Sequence, residues 1–212
     1  MKKIALFSIL LLLMPNLGQA GSLTGVTVSP SNYTISTGTN ITITFTTPQE
    51  IPADGRIYVD LFNDGTAGTF SKEAGLDYTD YDVSVGGVDQ ILAADNSTNA
   101  MGVEQFDDWF YIHLKTNAAI PLGSEIIIQI GTNATFGSTG DKQWIAPSSS
   151  GTALTAIRTD DENDGALDSG SQWETISAAA PEFSDFMMIL ILVVGGMMTW
   201  KMMLQQKQNM TV

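Results

Sequence analysis

The stretch "NITITFTT", residues 40–47, alternates apolar and polar side chains. Ile41, Ile43 and Phe45 fall on one side of the chain, and threonines fall on the other. A period of two is that of a β-strand with one buried face, whereas a helix would repeat every 3.6 residues. The stretch therefore predicts a strand that contributes its isoleucines and its phenylalanine to a core.

The same period continues in other parts of the chain. "RIYVDLF" (56–62) and "WFYIHLK" (109–115) alternate in the same way, and "EIIIQI" (125–130) is almost wholly apolar, as expected of a central strand buried on both sides. Clusters of Gly, Asn, Asp, Ser and Pro lie between these stretches and are typical of turns. Shorter candidate strands are "GVTVS", "YDVSV", "QILAA", "KQWIA", "ALTAIRT" and "QWETIS".

Together these patterns predict one all-β domain. About ten short strands joined by turns, without an amphipathic helix, indicate an antiparallel immunoglobulin-like sandwich. Because the strand count exceeds that of a seven-stranded immunoglobulin unit, we expect insertions around residues 63–80 and 93–107. The sandwich is predicted to cover residues 21–176.

The first twenty residues have the three parts of a secretory signal peptide. Lys2 and Lys3 precede an apolar run at 4–14, and the small residues Gly18 and Ala20 follow it. The run has about eleven residues, too short to span ~30 Å of hydrocarbon at ~1.5 Å per residue. We expect cleavage of the segment 1–20, export of the protein, and Gly21 as its mature N-terminus.

The C-terminal region predicts a single transmembrane helix at residues 186–204. This segment is apolar except for Lys201, and it follows a short linker at 177–185. A helix of nineteen residues is long enough to cross a bilayer. Since the charges after the core of the span are lysines and those before it are acidic, the tail 205–212 is predicted to be cytoplasmic and the sandwich extracellular.

Composition narrows the classes of function. The chain has no cysteine, so an exported domain must be stabilised without disulfides. Residues 21–180 contain five basic and 21 acidic side chains, a formal charge of −16. Such a surface repels phosphate backbones, which argues against a nucleic-acid partner.

The layout also resembles a known family. A signal peptide, a Thr-rich β domain and Pro181-Glu182-Phe183 directly before an apolar span are similar to the PEP-CTERM group of prokaryotic surface proteins, in its PEF-type variants. The resemblance implies that these three residues form a sorting motif. In that family a membrane transpeptidase of the exosortase or archaeosortase kind reads the motif and cuts near it.

Two further points bear on this resemblance. The family usually ends in a tight basic cluster, whereas this chain has Lys201 and Lys207, six residues apart. A permanent anchor and a processed sorting signal therefore both remain open. Within the body, the region from Leu23 to Val59, with its "IPADG" turn, resembles immunoglobulin-like repeats of surface proteins.

An acidic stretch, "TDDENDGALDSGS", is a candidate Ca²⁺ loop. Counted from Asp160, carboxylates fall at positions 1, 3, 5 and 9, namely Asp160, Glu162, Asp164 and Asp168, with Gly165 at position 6. That order follows the logic of calcium loops, although the bidentate Glu at position 12 is missing. The alternative is an acidic hairpin turn between two strands.

Other candidate sites are less defined. Asn32, Asn40, Asn96 and Asn133 begin N-x-Ser/Thr sequons in the predicted exterior and are candidate glycosylation sites. No catalytic motif is present, and the single histidine, His113, is interpreted as an ordinary strand residue. The sequence therefore predicts that the protein is not an enzyme, and it predicts no cofactor other than Ca²⁺.

The aromatic run "FDDWFYIH" (106–113) suggests a binding surface. Trp109 and Tyr111 alternate with buried positions, so they are predicted to form an outward platform for sugar or protein, or else to pack under a loop. The overall interpretation is a structural or adhesive cell-surface protein. The rival interpretations are a carbohydrate-binding or glycan-hydrolysing domain that contacts surface glycans, and a subunit of a filament or layer that contacts other copies of itself.

Overall fold

A computed structural model describes residues 21–61 and 65–178 of the chain. All of these residues belong to one compact unit, which ends at Ala178. The described part contains strands and a single 3-10 turn at Tyr78–Asp80, and none of its helical segments is long and apolar enough to cross a membrane. The strands are β1 (Gly21–Ser22), β2 (Thr24–Pro30), β3 (Gly38–Thr39), β4 (Ile41–Thr46), β5 (Arg56–Leu61), β6 (Ser71–Lys72), β7 (Tyr81–Val85), β8 (Val88–Asp89), β9 (Leu92–Ala93), β10 (Met101–Gln105), β11 (Trp109–His113), β12 (Glu125–Ile130), β13 (Trp144–Ile145), β14 (Gly151–Asp160) and β15 (Ala166–Ile176).

The strands form two main sheets and one small sheet. The seven-stranded sheet has the order β1-β15-β14-β5-β11-β10-β9, and the five-stranded sheet has the order β2-β4-β12-β7-β8. The short strands β3, β13 and β6 make the third sheet. Pairing is antiparallel except for β1 with β15 and β9 with β10. This arrangement confirms the predicted all-β sandwich.

The opening stretch of the sequence lies at the centre of the core. β4 pairs with β12 so that Ile43 faces Ile128 and Phe45 faces Ile126. These four side chains are completely buried, while the threonines between them are half-buried. Burying side chains of this size contributes about 1.5–3 kcal/mol each, so this pair of strands is a major part of the hydrophobic stabilisation.

Aromatic rings connect the sheets through the interior. The ring of Phe110, on β11, lies 5.1 Å from that of Tyr81 on β7, in an edge-to-face arrangement. It also lies 6.3 Å from the indole of Trp144, on β13. All three residues are at most 2% exposed, so one residue of the seven-stranded sheet contacts both other sheets.

Two details differ from the sequence expectations. The region 93–107 contains β10, which the sequence patterns did not predict as a strand and which pairs with β11 in the seven-stranded sheet. The sequence of β10, "MGVEQ", did not predict a strand because it contains a glycine and shows little alternation of apolar and polar side chains. The strand 125–130 is central, as expected, but it is buried on one face only, since Ile127 between two buried isoleucines is half-buried.

Several sequence predictions concern residues outside the described ones. These are the signal peptide at 1–20, the Pro181-Glu182-Phe183 motif, the transmembrane helix at 186–204 and the tail at 205–212. They remain predictions.

Candidate functional site

The outer face of the seven-stranded sheet carries a cluster of aromatic side chains. Strands β5 and β11 are paired so that Tyr58 lies opposite Tyr111 and Asp60 lies opposite Trp109. Their intervening residues, such as Val59 and Phe110, are completely buried. Because side chains alternate between the faces of a strand, the two tyrosines and the tryptophan are directed away from the core.

These rings form one contiguous surface, which we call the aromatic platform: Tyr58, Phe106, Trp109 and Tyr111. The indole of Trp109 stacks on Phe106 with 3.9 Å between ring centroids and 7° between planes. Tyr58 lies 6.0 Å from Trp109 and 5.5 Å from Tyr111. All four residues are partly exposed. Phe106 comes from the loop before β11 and packs on the indole of Trp109, which nevertheless stays partly exposed.

Both arginines of this acidic chain flank the platform. The guanidinium of Arg158, on β14, lies 4.6 Å from the centroid of the Tyr58 ring, and that of Arg56, on β5, lies 5.6 Å from that of Tyr111. Arg56 also donates a hydrogen bond to the hydroxyl of Tyr58 (3.2 Å). Cation–π contacts of this kind contribute about 0.5–1 kcal/mol at exposed sites and hold the planar groups together.

Carboxylates balance the two arginines. Asp160 accepts a hydrogen bond from Arg158 at 2.7 Å, and Asp164 forms an ion pair with Arg56. Burial raises the pKa of Asp160 above its ordinary range, against the opposing effect of Arg158. The side chain of Arg158 is 49% exposed, so it keeps donors available to a ligand.

The hydroxyl of Tyr111 stays protonated at neutral pH. Burial raises its pKa to about 12, and the hydrogen bond and negative charge of Glu104 contribute in the same direction. The tyrosine therefore acts as a donor to Glu104, on the neighbouring strand β10. This contact fixes the hydroxyl end of Tyr111 at the edge of the platform.

A groove of about 620 Å³ runs beside the platform across β5, β14 and β15. Tyr58 and Trp109 line it with rings, and Leu154 and Ala156 add aliphatic surface. Polar groups in the lining are Asp60, Arg158, Ser169 and Ser171. Ala156, Ser169, Gly170 and Ser171 contribute small side chains to the lining and leave space next to the rings of Tyr58 and Trp109.

The predicted calcium loop forms a hairpin turn between β14 and β15. The carboxylate of Asp161 accepts hydrogen bonds from the backbone of Asn163 (2.8 Å) and Gly165 (2.7 Å). Asp164 adopts a positive φ of 61°, which aspartate tolerates in tight turns. The residue that organises the turn is therefore Asp161, which is not among the four predicted ligands.

The four predicted ligands have separate surroundings. Asp160 and Asp164 pair with the two arginines of the platform. Asp168 is completely buried and accepts a hydrogen bond from Gln49 (3.0 Å), while Glu162 is exposed. Within residues 21–61 and 65–178, no three acidic or histidine side chains lie close enough together to hold a metal ion. Calcium binding by this loop stays a prediction.

The four sequon asparagines differ in their hydrogen bonds. Nδ2 of Asn96 donates to the carboxylate of Asp54 (2.7 Å) and to a backbone carbonyl (2.8 Å). Nδ2 of Asn40 and of Asn133 donates to a threonine hydroxyl, at 2.9 and 3.2 Å. Within the described part of the chain, Asn32 uses its side-chain oxygen as an acceptor and has no partner for Nδ2. In the folded protein, Asn32 is therefore the most available of the four for attachment of a glycan.

His113 lies at the end of β11, beside the platform. Its Nε2 is 3.0 Å from the carboxylate of Asp54, and its ring meets that of Tyr111 edge-on. No serine hydroxyl contacts this pair among the residues that the structure describes. Absence of enzymatic activity stays a prediction.

Sequence reasoning identified Trp109 and Tyr111 but not the rest of the platform. The alternation in "RIYVDLF" places Tyr58 on the outer face of its strand, so that part of the signal was present. The pairing of β5 with β11 and β14 brings Tyr58, Trp109 and Arg158 together, although these residues are far apart in the chain. Strand pairing of this kind is not encoded in the local pattern.

No protein-family model matches this chain, and no curated protein matches it either. Among solved structures, the chain is similar to BslA, a bacterial hydrophobin, with 14% identity over 77% of this chain and 100% of that one, and a TM-score of 0.40. The pilus backbone protein RrgB from Streptococcus pneumoniae is 11% identical over 62% of this chain and 26% of its own, with a TM-score of 0.32. A family GH18 chitinase from Chromobacterium violaceum is 12% identical over 66% of this chain and 18% of its own, with a TM-score of 0.22. Similarities of this size carry no argument about function.

Proposed function

We propose that this chain is an exported cell-surface protein that adheres to carbohydrate through the aromatic platform and its groove. The observation that carries this proposal is the set of four contiguous, partly exposed rings on the outer face of the sheet, flanked by both arginines of the chain. This proposal combines the adhesive interpretation of the sequence with its carbohydrate-binding alternative.

The chemistry of the surface suits a saccharide. A pyranose ring has an apolar C–H face, which packs on an aromatic ring, and a rim of hydroxyls that need hydrogen-bond partners. Trp109 and Tyr58 offer the rings, while Asp60, Arg158 and the serines of β15 offer donors and acceptors along the groove. A volume of about 620 Å³ lies within the usual range of ligand sites.

The charge of the surface favours neutral sugars over strongly anionic ones. Each platform arginine is already paired with a carboxylate, and Asp60 and Glu104 add further negative charge nearby. A polyanion would therefore meet repulsion from the acidic chain without finding an unpaired cationic cluster. We propose neutral hexose and N-acetylhexosamine polymers as the class of ligand.

Display at the surface is the second part of the proposal. It is supported by the signal-peptide pattern at 1–20, the apolar segment at 186–204 and the resemblance of Pro181-Glu182-Phe183 to a sorting motif. Strand β15 ends at Ile176, so only a short linker separates the sandwich from the start of the predicted span. An immunoglobulin-like ectodomain on a membrane anchor, or transferred from it by a transpeptidase, fits this layout.

A glycan array tests the adhesive function. Full-length protein in detergent is applied to arrayed cellohexaose, chitohexaose, maltohexaose and polygalacturonate fragments. We expect binding to at least one neutral polymer and weaker binding of the polygalacturonate. If the protein binds none of the arrayed glycans, carbohydrate adhesion is removed from the proposal. Equal binding by Trp109→Ala and wild type would remove the aromatic platform as the binding site.

Self-assembly is a second candidate function, and a separate observation favours it. Val88, on β8, is 64% exposed, and Ile91, just after this strand, is 58% exposed. β8 is an edge strand of the five-stranded sheet. Phe136, 45% exposed, lines a second depression together with Ile91. Exposed apolar edges are sites where sheets pair between copies. Light scattering across a dilution series should show concentration-dependent assembly that Val88→Lys abolishes, and a constant monomer mass would rule this function out.

A further inference from the structure

Asp168 is a buried carboxylate whose bonding is incomplete. It is completely inaccessible to solvent, and its Oδ1 accepts one hydrogen bond, from Nε2 of Gln49 at 3.0 Å. Its Oδ2 has no hydrogen-bond partner among the residues that the structure describes. Among the described residues, no basic side chain forms an ion pair with it. A charge buried in this way is costly unless a cation compensates it.

A second unsatisfied acceptor lies next to it. Thr159, on β14, is the cross-strand neighbour of Asp168 and is completely buried. Within residues 21–61 and 65–178, its Oγ1 has no hydrogen-bond partner. A carboxylate oxygen and a hydroxyl oxygen therefore stand unpaired at one place in the interior. A cation with N–H donors placed beside Asp168 would compensate its charge and satisfy its free oxygen.

The start of the predicted mature chain lies against this carboxylate. Gly21, on β1, pairs in parallel with Asp168 on β15. A Cβ atom built on Gly21 would collide with Oδ1 of Asp168 and would lie 3.0 Å from Nε2 of Gln49. The backbone nitrogen and a Cβ are bonded to the same Cα atom and lie only about 2.5 Å apart. The nitrogen of Gly21 is therefore within reach of Asp168 after a small rotation of the carboxylate.

We infer that cleavage after Ala20 creates an α-ammonium group on Gly21 that forms a buried ion pair with Asp168. The peptide nitrogen of an uncleaved chain has one N–H and no charge, whereas the ammonium has three N–H donors and a positive charge. Removal of the signal peptide thus supplies the missing cation, and the sandwich reaches full stability only after export. A side chain at this position would have to displace the carboxylate of Asp168.

This inference rests on the export part of the proposed function and is independent of carbohydrate binding. It also explains why a cleavage site would be set at Gly21 rather than one or two residues away. An N-terminus at Ser22 would lose the contact, and one that retained Ala20 would carry its charge one residue further from Asp168.

Two measurements on the full chain, purified from the membranes of an exporting host, test the inference. N-terminal sequencing should find Gly21. Amine acylation, followed by mass spectrometry, should then label the Gly21 amine at least about tenfold more slowly in wild type than in Asp168→Asn, since a buried paired ammonium is not nucleophilic. Lys142, which is partly exposed, is the internal control and should label equally in both proteins.

A comparison within the wild-type protein covers the case in which Asp168→Asn fails to fold. The protection of the Gly21 amine, normalised to Lys142, should disappear in denaturant. An N-terminus other than Gly21, or a Gly21 amine that labels as fast in the native as in the unfolded protein, would overturn the ion pair. A chain that retains residues 1–20 would overturn both the ion pair and the proposed export, while a negative glycan array would leave the ion pair untouched.

Discussion

Replacement of Trp109 by alanine should weaken carbohydrate binding strongly while leaving the sandwich folded. The indole is partly exposed and contacts Phe106, Tyr58 and Tyr111 on the outer face of the sheet. It contributes nothing to the interior, because its neighbour Phe110 fills the core side of β11. The variant therefore removes binding surface and a few surface ring contacts, but no core volume.

The size of both effects follows from these contacts. Aromatic pairs contribute about 0.5–1.5 kcal/mol each, and the close stack is the one with Phe106, so we expect a loss of stability of about 1–2 kcal/mol. For a domain of this size that lowers Tm by about 2–8 °C. A sugar ring that covers about 100 Å² of the indole gains about 2.5 kcal/mol at ~25 cal/mol per Å². Loss of that contact weakens Kd by roughly 70-fold.

Isothermal titration of full-length protein with the oligosaccharide that binds most strongly on the array measures the affinity, and differential scanning calorimetry measures Tm. The matched control is Phe136→Ala, which removes an exposed ring outside the platform and should leave Kd unchanged. If Trp109→Ala binds within about threefold of wild type, the platform is not the binding surface. A loss of Tm far beyond 8 °C would contradict the outward position of the indole.

Further predictions concern the core, the pH dependence, calcium and glycosylation. Phe110→Ala should destabilise the domain by about 3–5 kcal/mol in denaturant titration, since the ring joins three sheets; a loss below 1 kcal/mol would contradict that packing. Burial raises the pKa of Glu174, so its ionised form is disfavoured in the folded state and this penalty vanishes as the pH falls below the ordinary range of a glutamate. Glu174→Gln should therefore raise Tm at pH 7 and leave it unchanged near pH 3, whereas an equal gain at both values would exclude ionisation as the cause. If the acidic loop binds Ca²⁺, millimolar calcium should raise Tm and Asp164→Asn should abolish the rise; an unchanged Tm would remove the calcium site. Where the host glycosylates folded protein, peptide mapping should find glycan at Asn32 before Asn96, and the reverse order would contradict the hydrogen-bond pattern.

The local pattern of the sequence was sufficient for the all-β class and for the buried face of the main strands. Alternation at Ile41, Ile43 and Phe45 predicted a strand with one buried face, and the structure buries these three residues. The alternation predicts burial here because each main strand packs one face on a common core. Buried apolar and exposed polar side chains therefore alternate along the strand. The alternation failed to predict β10, whose glycine and short length leave too few residues for the pattern to show.

The candidate site was only partly predictable, for a different reason. Trp109 and Tyr111 are neighbours on one strand, so the sequence alone places them on one surface. Tyr58 and Arg158 join them through pairing between strands that are distant in the chain, and the register of such pairs is set by the whole core. The bulge near Asp160 and the cross-strand placement of Asp168 are likewise products of pairing, not of local sequence.

The central claim, that saccharide binds on the aromatic platform, is tested most directly by ¹⁹F NMR of full-length protein labelled with 5-fluorotryptophan. The chain has four tryptophans, and single Trp→Phe variants assign their resonances. Titration with the neutral oligosaccharide that binds most strongly on the array should shift the resonance of Trp109 and leave that of the buried Trp144 unchanged. A titration that shifts no resonance, or shifts others while Trp109 stays fixed, would contradict binding at the platform.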